Sequence, residues 1–364
     1  MFSNSKDNLN CINGLKGFGA CMIAFVWHYQ HFAPQAGSPF YILFTPFYDM
    51  GDRMVEVFFM LSGLGMVLGY EKRIQNDTIT FVEYMGKRVK KLFPLMWITL
   101  FITLCLQCIY YYKTGTTFVY PNLDIYHFLL NLLGLQNGVL ELQSSYNSPS
   151  WYISVLVWCY ILFFCIVRKT NIEDDLLVFK YILIVLLGSV VLLTGFNFPI
   201  LNSLMGRGFS CFFLGAVLAK IYQKREKLYS CRIGGVCLVF LVVTRILIKY
   251  CGYGILGNLQ MAVILGIAPA LILSVLFVPI INKIFAFKPL VYLGKLSLSI
   301  YLWHFPIQCI WKIIDVYLEL EINYSNRGIW LSYAASVLVL SALYERFVAS
   351  KVQEIGKVFL REVS

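Results

Sequence analysis

Two histidines, His28 and His31, stand three residues apart in "AFVWHYQHF", so on a helix they share one face. An imidazole takes up and returns a proton near neutral pH, which makes it the usual general base for activating a hydroxyl. Glu56 opens the apolar stretch "VEVFFMLSGLGMV", and Arg88 and Lys91 lie in "GKRVKKLFPLMW". Arg forks and Lys charges suit a phosphorylated ligand. Arg207 begins "RGFSCFFLGAVLA", and His304 is followed closely by Pro306 in "YLWHFP". Each residue also has a plainer reading. The two histidines could belong to an interfacial belt with Trp27, Tyr29 and Phe32, and Glu56 could be a loop-edge carboxylate. The basic cluster could be a topological signal or a lipid contact, and Arg207 could serve a structural pairing. His304 could sit in a kinked helix whose freed carbonyl is taken by a nearby side chain.

The surroundings of these residues are apolar. Of 364 residues 59% are hydrophobic and only 13% charged, against about a quarter in ordinary soluble domains. A water-soluble surface is excluded, and the pattern is that of an all-α, polytopic transmembrane helical bundle. "MFSNSKDNLN" is polar and no small-residue cleavage site follows the first apolar run, so that run reads as a retained helix rather than a cleaved signal. Ten runs approach the length that crosses a bilayer: about 13–33, 54–70, 92–112, 150–167, 181–199, 204–221, 232–250, 259–281, 296–317 and 329–347. The stretch 123–136 is shorter and reads as a re-entrant or interfacial piece of an external loop, 113–149.

The net charge of +11 lies mostly in short loops between these runs, which points to topology rather than to a nucleic-acid partner. About ten spans with both termini cytoplasmic place Lys6, Lys16, "EKR" 71–73, "GKRVKK" 86–91, "RK" 168–169, "KIYQKREK" 220–227, Lys283, Lys288, Lys295 and the basic tail inside. Only Arg53, Lys113 and Arg327 then remain in outside loops. One integral domain, 1–350, with a short basic tail, 351–364, is expected. Gly65 and Gly69 form a small-residue motif suited to internal helix packing. Cys105 and Cys108 form a CxxC without a second ligand pair, which reads as helix packing rather than zinc or redox chemistry.

Seven segments, in order, resemble the acyltransferase 3 family of integral membrane acyltransferases. They are "INGLKGFGACMIAFVWH", "VEVFFMLSGLGM", "KRVKKLFPLMW", "SWYISVLVWCYILFF", "RGFSCFFLGAVLA", "LGKLSLSIYLWHFPI" and "YERF". The resemblance implies a membrane O-acyltransferase, transferring acetyl from cytosolic acyl-CoA to a hydroxyl of a surface polysaccharide, lipid-linked glycan or glycoside. It implies catalytic roles for His28, Glu56, Lys16 and His31, and substrate-binding roles for Arg88, Lys91, Arg207, His304, Trp151 and Glu345. Acyl-CoA would be a substrate, with no permanently bound cofactor and no metal. The other partners would be a carbohydrate or glycolipid acceptor and the lipids of a plasma membrane of the bacterial inner-membrane kind.

The sequence departs from the family pattern in places. The family's first basic residue is an Arg one position nearer the histidine. Lys16 is twelve residues before His28, roughly 120° away on an α-helical wheel, which keeps His31 in play as the base. Leu156 and Val157 stand where some members carry a Glu. Two other readings stay open: a secondary transporter or a glycan or lipid flippase, although no internal repeat is visible, and a non-catalytic family member acting as a partner subunit.

Overall fold

The computed structural model describes residues 10–141, 143–169, 174–224, 227–349 and 351. Lys6, Arg225, Glu226 and the tail beyond Lys351 lie outside the described residues, and with them the expectations for both termini. Among the described residues every regular element is helical: α1 Asn10–Cys21, α2 Tyr41–Met50, α3 Met54–Met66, α4 Lys72–Gln75, α5 Phe81–Thr114, α6 Ile125–Leu133, α7 Trp151–Lys169, α8 Asp174–Thr194, α9 Ser203–Gln223, α10 Lys227–Cys251, α11 Leu259–Ala262, α12 Ala268–Phe277, α13 Pro279–Phe285, α14 Lys288–Tyr317 and α15 Arg327–Tyr344. In hydrocarbon a backbone N–H or C=O has no water partner, and the helix satisfies all of them within one segment.

Among the described residues eight helices are long and apolar enough to cross a membrane, and nine when α13 and α14, bent by 60° at their junction, count as one broken span. The expected ten runs differ from this at one place. The helix that begins with α1 is not among the candidates, because Asn13, Lys16, His28, Gln30 and His31 break its apolar run. The stretch 123–136 does not span: it holds the nine-residue α6, capped by Asp124 at its start and ended by Gly134 at φ 70°. Asp124 accepts from the His127 amide (3.0 Å) and from its ring Nδ1 (2.6 Å), so His127 is a buried partner of the cap rather than a loose interfacial ring.

The chain divides into two compact units. The first comprises the residues up to Gly19, Arg53–Phe81 and Trp158–Lys295. Its centre is the packing of α9 against α3 and α8. A Cβ placed on Gly63 would run into the Phe212 carbonyl, and one on Gly215 into the Met60 backbone, so these two glycines set how closely α3 and α9 approach. Gly65 and Gly69 have open space where a Cβ would go. The close contact is therefore made two residues earlier than the GxxxG spacing suggests. The glycines of α1 serve a similar close approach, with Gly14 meeting the Phe285 backbone and Gly17 that of α14 near Leu290.

The second unit comprises Ala20–Asp52, Val82–Val157 and the residues from Leu296 on. Its core is aromatic. Phe32 stacks on Tyr324 (4.4 Å, 7°), Tyr333 meets Phe25, Tyr29 and Phe32, and Phe305 packs on Phe118 and Tyr120. Such pairs contribute about 0.5–1.5 kcal/mol beyond their area. Lys312, an ionisable group inside an apolar run, is matched by Asp315 (3.4 Å) and lies over the Tyr324 ring (4.3 Å). Cys105 and Cys108 are exposed on α5 and so do not pack within the chain as expected.

Two predictions follow from this packing. Gly63→Leu, which forces overpacking into a backbone carbonyl, should destabilise by about 1–3 kcal/mol or more, read as a lower thermal midpoint in detergent, while Gly65→Leu should leave it nearly unchanged. The Asp124 carboxyl is held below its ordinary value of 3.8, first by the His127 amide and then by its ring. Because the folded pKa is depressed, the contribution is full above about pH 3.8 and fades as pH falls through the lowered folded value. Hydrogen exchange of the His127 amide should accelerate on acidification through that window, and Asp124→Asn, which keeps the cap without the charge, should remove the dependence.

Candidate active site

The helix begun by α1 changes its winding as it nears the histidines. Met22–Trp27 is a π turn, His28–Phe32 is a 3₁₀ turn, and Ala33 ends the element in the left-handed region at φ 48°. A π turn is wider than an α turn and is found frequently at functional sites. The α-helical wheel therefore does not apply across the interval from Lys16 to His28. The carbonyls at the changeover are taken by side chains of α15: Trp330 Nε1 donates to Phe25 O (2.6 Å) and the Tyr333 hydroxyl to Ala24 O (3.2 Å). Tyr29 donates to Tyr324 O (2.9 Å). The segment bearing the histidines is thus fixed by hydrogen bonds as well as by packing.

Three of the four histidines meet here. His28 Nδ1 lies 2.6 Å from His304 Nε2, and His304 Nδ1 lies 2.7 Å from the Tyr301 carbonyl. A carbonyl only accepts, so His304 carries its proton on Nδ1 and presents a bare Nε2. His28 must then donate from Nδ1, which leaves the lone pair of its own Nε2 free. The planes of the two rings are nearly parallel (13°), with centroids 4.7 Å apart.

The same logic applies to His31. Gln308 Nε2 donates to the His28 carbonyl (2.7 Å), so its Oε1 accepts from His31 Nδ1 (3.1 Å). His31 also keeps an unbonded Nε2, and its ring stacks on His28 at 4.9 Å. His304 and Gln308 are fully buried, while His28 and His31 are half-buried. This is a pair of oriented, neutral imidazole bases, one backed by a third imidazole and the other by a carboxamide. Among the described residues no His, Cys, Asp or Glu trio is arranged to hold a metal.

Pro306 determines how α14 presents His304. It has no amide proton, so the Leu302 carbonyl loses its helical donor. Asn147 Nδ2 replaces it at 3.0 Å, and Asn147 is almost fully buried. The Tyr301 hydroxyl donates to Pro149 O at 2.8 Å. The turn Ser148–Ser150, which leads into α7 at Trp151, is thereby attached to α14 beside His304.

In the first unit Glu56 is fully buried. Its Oε1 accepts from Arg207 Nε (2.8 Å) and Gln260 Nε2 (2.5 Å), with Arg53 at 3.7 Å, and its Oε2 has no hydrogen bond. Arg207 is thus the counter-charge of Glu56. A second ion cluster joins buried Lys220 to buried Glu71 (2.5 Å) and to the exposed Asp174 (2.9 Å), with Tyr181 donating to Glu71 (3.0 Å). Lys16 is half-buried in the same unit. In the second unit Arg88 and Lys91 lie on one stretch of α5, and the charges of Arg88 and Glu345 both act on Lys91. Glu345 Oε1 accepts from Ser299 Oγ (2.6 Å).

The structure therefore gathers His28, His31 and His304 in one place, pairs Glu56 with Arg207, and sets Arg88, Lys91 and Glu345 within electrostatic reach. Gln308, Gln260 and Asn147 were missed from the sequence. A polar residue one helical turn after His304 was the available signal for Gln308, and the carbonyl freed by Pro306 for Asn147. Gln260 offered none.

Comparison with known proteins gives the family of the chain. The acyltransferase 3 family model, described as an acyltransferase domain, matches residues 9–346. A protein of Acidianus two-tailed virus that bears the name of an acetyltransferase is 23% identical over 248 residues, 67% of this chain and 71% of its own length. The peptidoglycan O-acetyltransferase OatA of Listeria monocytogenes is 29% identical over 121 residues, 33% of this chain and 18% of its own length. No solved structure matches.

Removing one member of a buried ion pair leaves an uncompensated charge, which costs about 3–5 kcal/mol. Arg207→Met should lower the thermal midpoint accordingly, and adding Glu56→Gln should recover much of the loss. Equal midpoints for the Arg207 single variant and the parent protein would show that the pair is not structural.

Proposed function

The chain belongs to the acyltransferase 3 family, and from that premise we propose that this multi-pass membrane acyltransferase moves an acetyl group from cytosolic acyl-CoA to a hydroxyl of a surface polysaccharide, lipid-linked glycan or glycoside. The observation that carries the reading is the His28 tautomer: its Nδ1 proton is committed to His304, and its Nε2 lone pair is free. A hydroxyl bonded to that nitrogen loses its proton to it as the oxygen attacks the thioester carbonyl carbon. The C–O bond forms, the C–S bond breaks, and the thiolate recovers the proton from the imidazolium. The His304 lone pair accepts from His28 Nδ1–H throughout and stabilises the charged ring.

Arg88 and Lys91 suit the donor's phosphates, and Glu345 near Lys91 would serve as its counter-charge when no donor is bound. The positive-inside distribution of Lys and Arg supports cytoplasmic termini and a plasma-membrane location. In that topology His28 faces the outer side, where an acceptor is met. The names of the two relatives support acetyl as the group, and that of OatA a glycan as the acceptor.

General-base assistance is worth about 10²–10⁴-fold. In membranes holding equal amounts of protein, His28→Ala should reduce acceptor-dependent release of CoA from acetyl-CoA by about that factor. His31→Ala, which leaves the His28–His304 bond intact, should cost less. Undiminished transfer by His28→Ala would remove the assignment, and a larger loss in His31→Ala would pass the role to His31.

A further inference from the structure

Beside the histidines lies a set of buried polar groups that the reaction as written does not use. Asn147 spends Nδ2 on the Leu302 carbonyl, so its Oδ1 is the end left over, and that oxygen is buried without a hydrogen bond. Gln136 bonds the Ser150 hydroxyl (2.9 Å) and Asn137 the Ser144 hydroxyl (3.4 Å), and the other end of each carboxamide is also buried and unbonded. Ser154 Oγ, one turn into α7, is in the same condition. The three carboxamides are at most 6% exposed.

A buried polar atom without a partner costs about 1–3 kcal/mol, and native proteins hold few of them. Here four fall within residues 136–154: Asn147 precedes the turn Ser148–Ser150, Gln136 is bonded to that turn at Ser150, Asn137 follows Gln136, and Ser154 lies one helical turn beyond Ser150. None of the four side chains carries a charge. The Asn147 oxygen needs a donor, which phosphate or carboxylate cannot supply. Gln136 Oε1 and Asn137 Oδ1 likewise need donors, and the Ser154 hydroxyl can donate or accept. A row of alcohol hydroxyls meets all of these demands.

We propose that Asn147, Gln136, Asn137 and Ser154 form a binding subsite for a neutral, polyhydroxylated ligand, the carbohydrate portion of the acceptor. The proposal rests on the acyl-transfer reading for its role, but not for its chemistry. Asn147 holds the Leu302 carbonyl two residues before His304, so a sugar bonded to Asn147 is held to the turn of α14 that backs the His28 base. Pro306 thus has two effects: it frees the carbonyl that fixes Asn147, and the fixed Asn147 turns its oxygen toward the ligand.

The test uses the full chain in lipid nanodiscs, with neutral oligosaccharides of N-acetylglucosamine, glucose and galactose as probes. Binding is followed by tryptophan fluorescence, and transfer by CoA release from acetyl-CoA. Asn147→Ala also removes the Leu302 contact, so Gln136→Leu and Asn137→Leu are the deciding variants, with their thermal midpoints checked. The expected result is that at least one oligosaccharide binds, and that each Leu variant weakens its binding and raises its KM about fivefold, the effect of one neutral hydrogen bond. The KM for acetyl-CoA should not change, and inorganic phosphate should not compete with the sugar.

Failure of every oligosaccharide to bind, unchanged sugar affinity in both Leu variants, or competition by phosphate would overturn the subsite. Sugar binding that responds to the variants without any acetyl transfer would uphold the subsite and overturn the acyl-transfer reading instead.

Discussion

A hydrogen bond between two imidazoles requires one ring to give a proton and the other to withhold one, and much of the second unit is arranged around that requirement. The Tyr301 carbonyl takes the His304 Nδ1 proton, which makes His304 an acceptor toward His28. The Nε2 lone pair of His28 is thereby left unbonded. Gln308 repeats the device for His31 while holding the His28 backbone. Pro306, Asn147 and Tyr301 stabilise the turn of α14 that carries His304. Of these contacts, those of the Tyr301 carbonyl and of Gln308 Oε1 set the tautomers, and the others set where the rings stand.

The first unit solves a different problem, that of charges in an apolar bundle. Glu56 with Arg207 and Gln260, and Lys220 with Glu71, Asp174 and Tyr181, are matched across helices that glycines bring close together. A carboxylate left alone there would be expensive, and Glu56 and Glu71 each meet a cation from a distant part of the chain. Gly63 and Gly215 matter for the same reason, since ion-pair distances near 3 Å depend on how nearly α3 and α9 touch.

Much of the site was legible before the fold. His28, His31, Glu56, Arg207 and His304 stand out because ionisable groups in apolar runs are rare and need a reason, and Arg207 did prove to be paired. A side chain on the carbonyl freed by Pro306 was also expected, although not the identity of Asn147. The GxxxG at Gly65 and Gly69 misled because spacing does not reveal which face of a helix is covered, and the contact is made at Gly63. The wheel angle between Lys16 and His28 misled because periodicity assumes one winding, whereas Met22–Phe32 passes from π to 3₁₀.

Composition and hydropathy were sufficient to determine the membrane class and the all-helical architecture, because hydrocarbon imposes the same demand on every segment and that demand is written locally in runs of apolar residues. The family was legible only in the seven ordered motifs. Which nitrogen of His28 is free, which side chain replaces the missing amide of Pro306 and which cation meets Glu56 were decided only in three dimensions. These depend on directional bonds between residues as far apart as His28 and His304 or Glu56 and Gln260. A hydrogen bond is lost within a few tenths of an ångström or a few tens of degrees, and no local pattern in a chain encodes a geometry that fine.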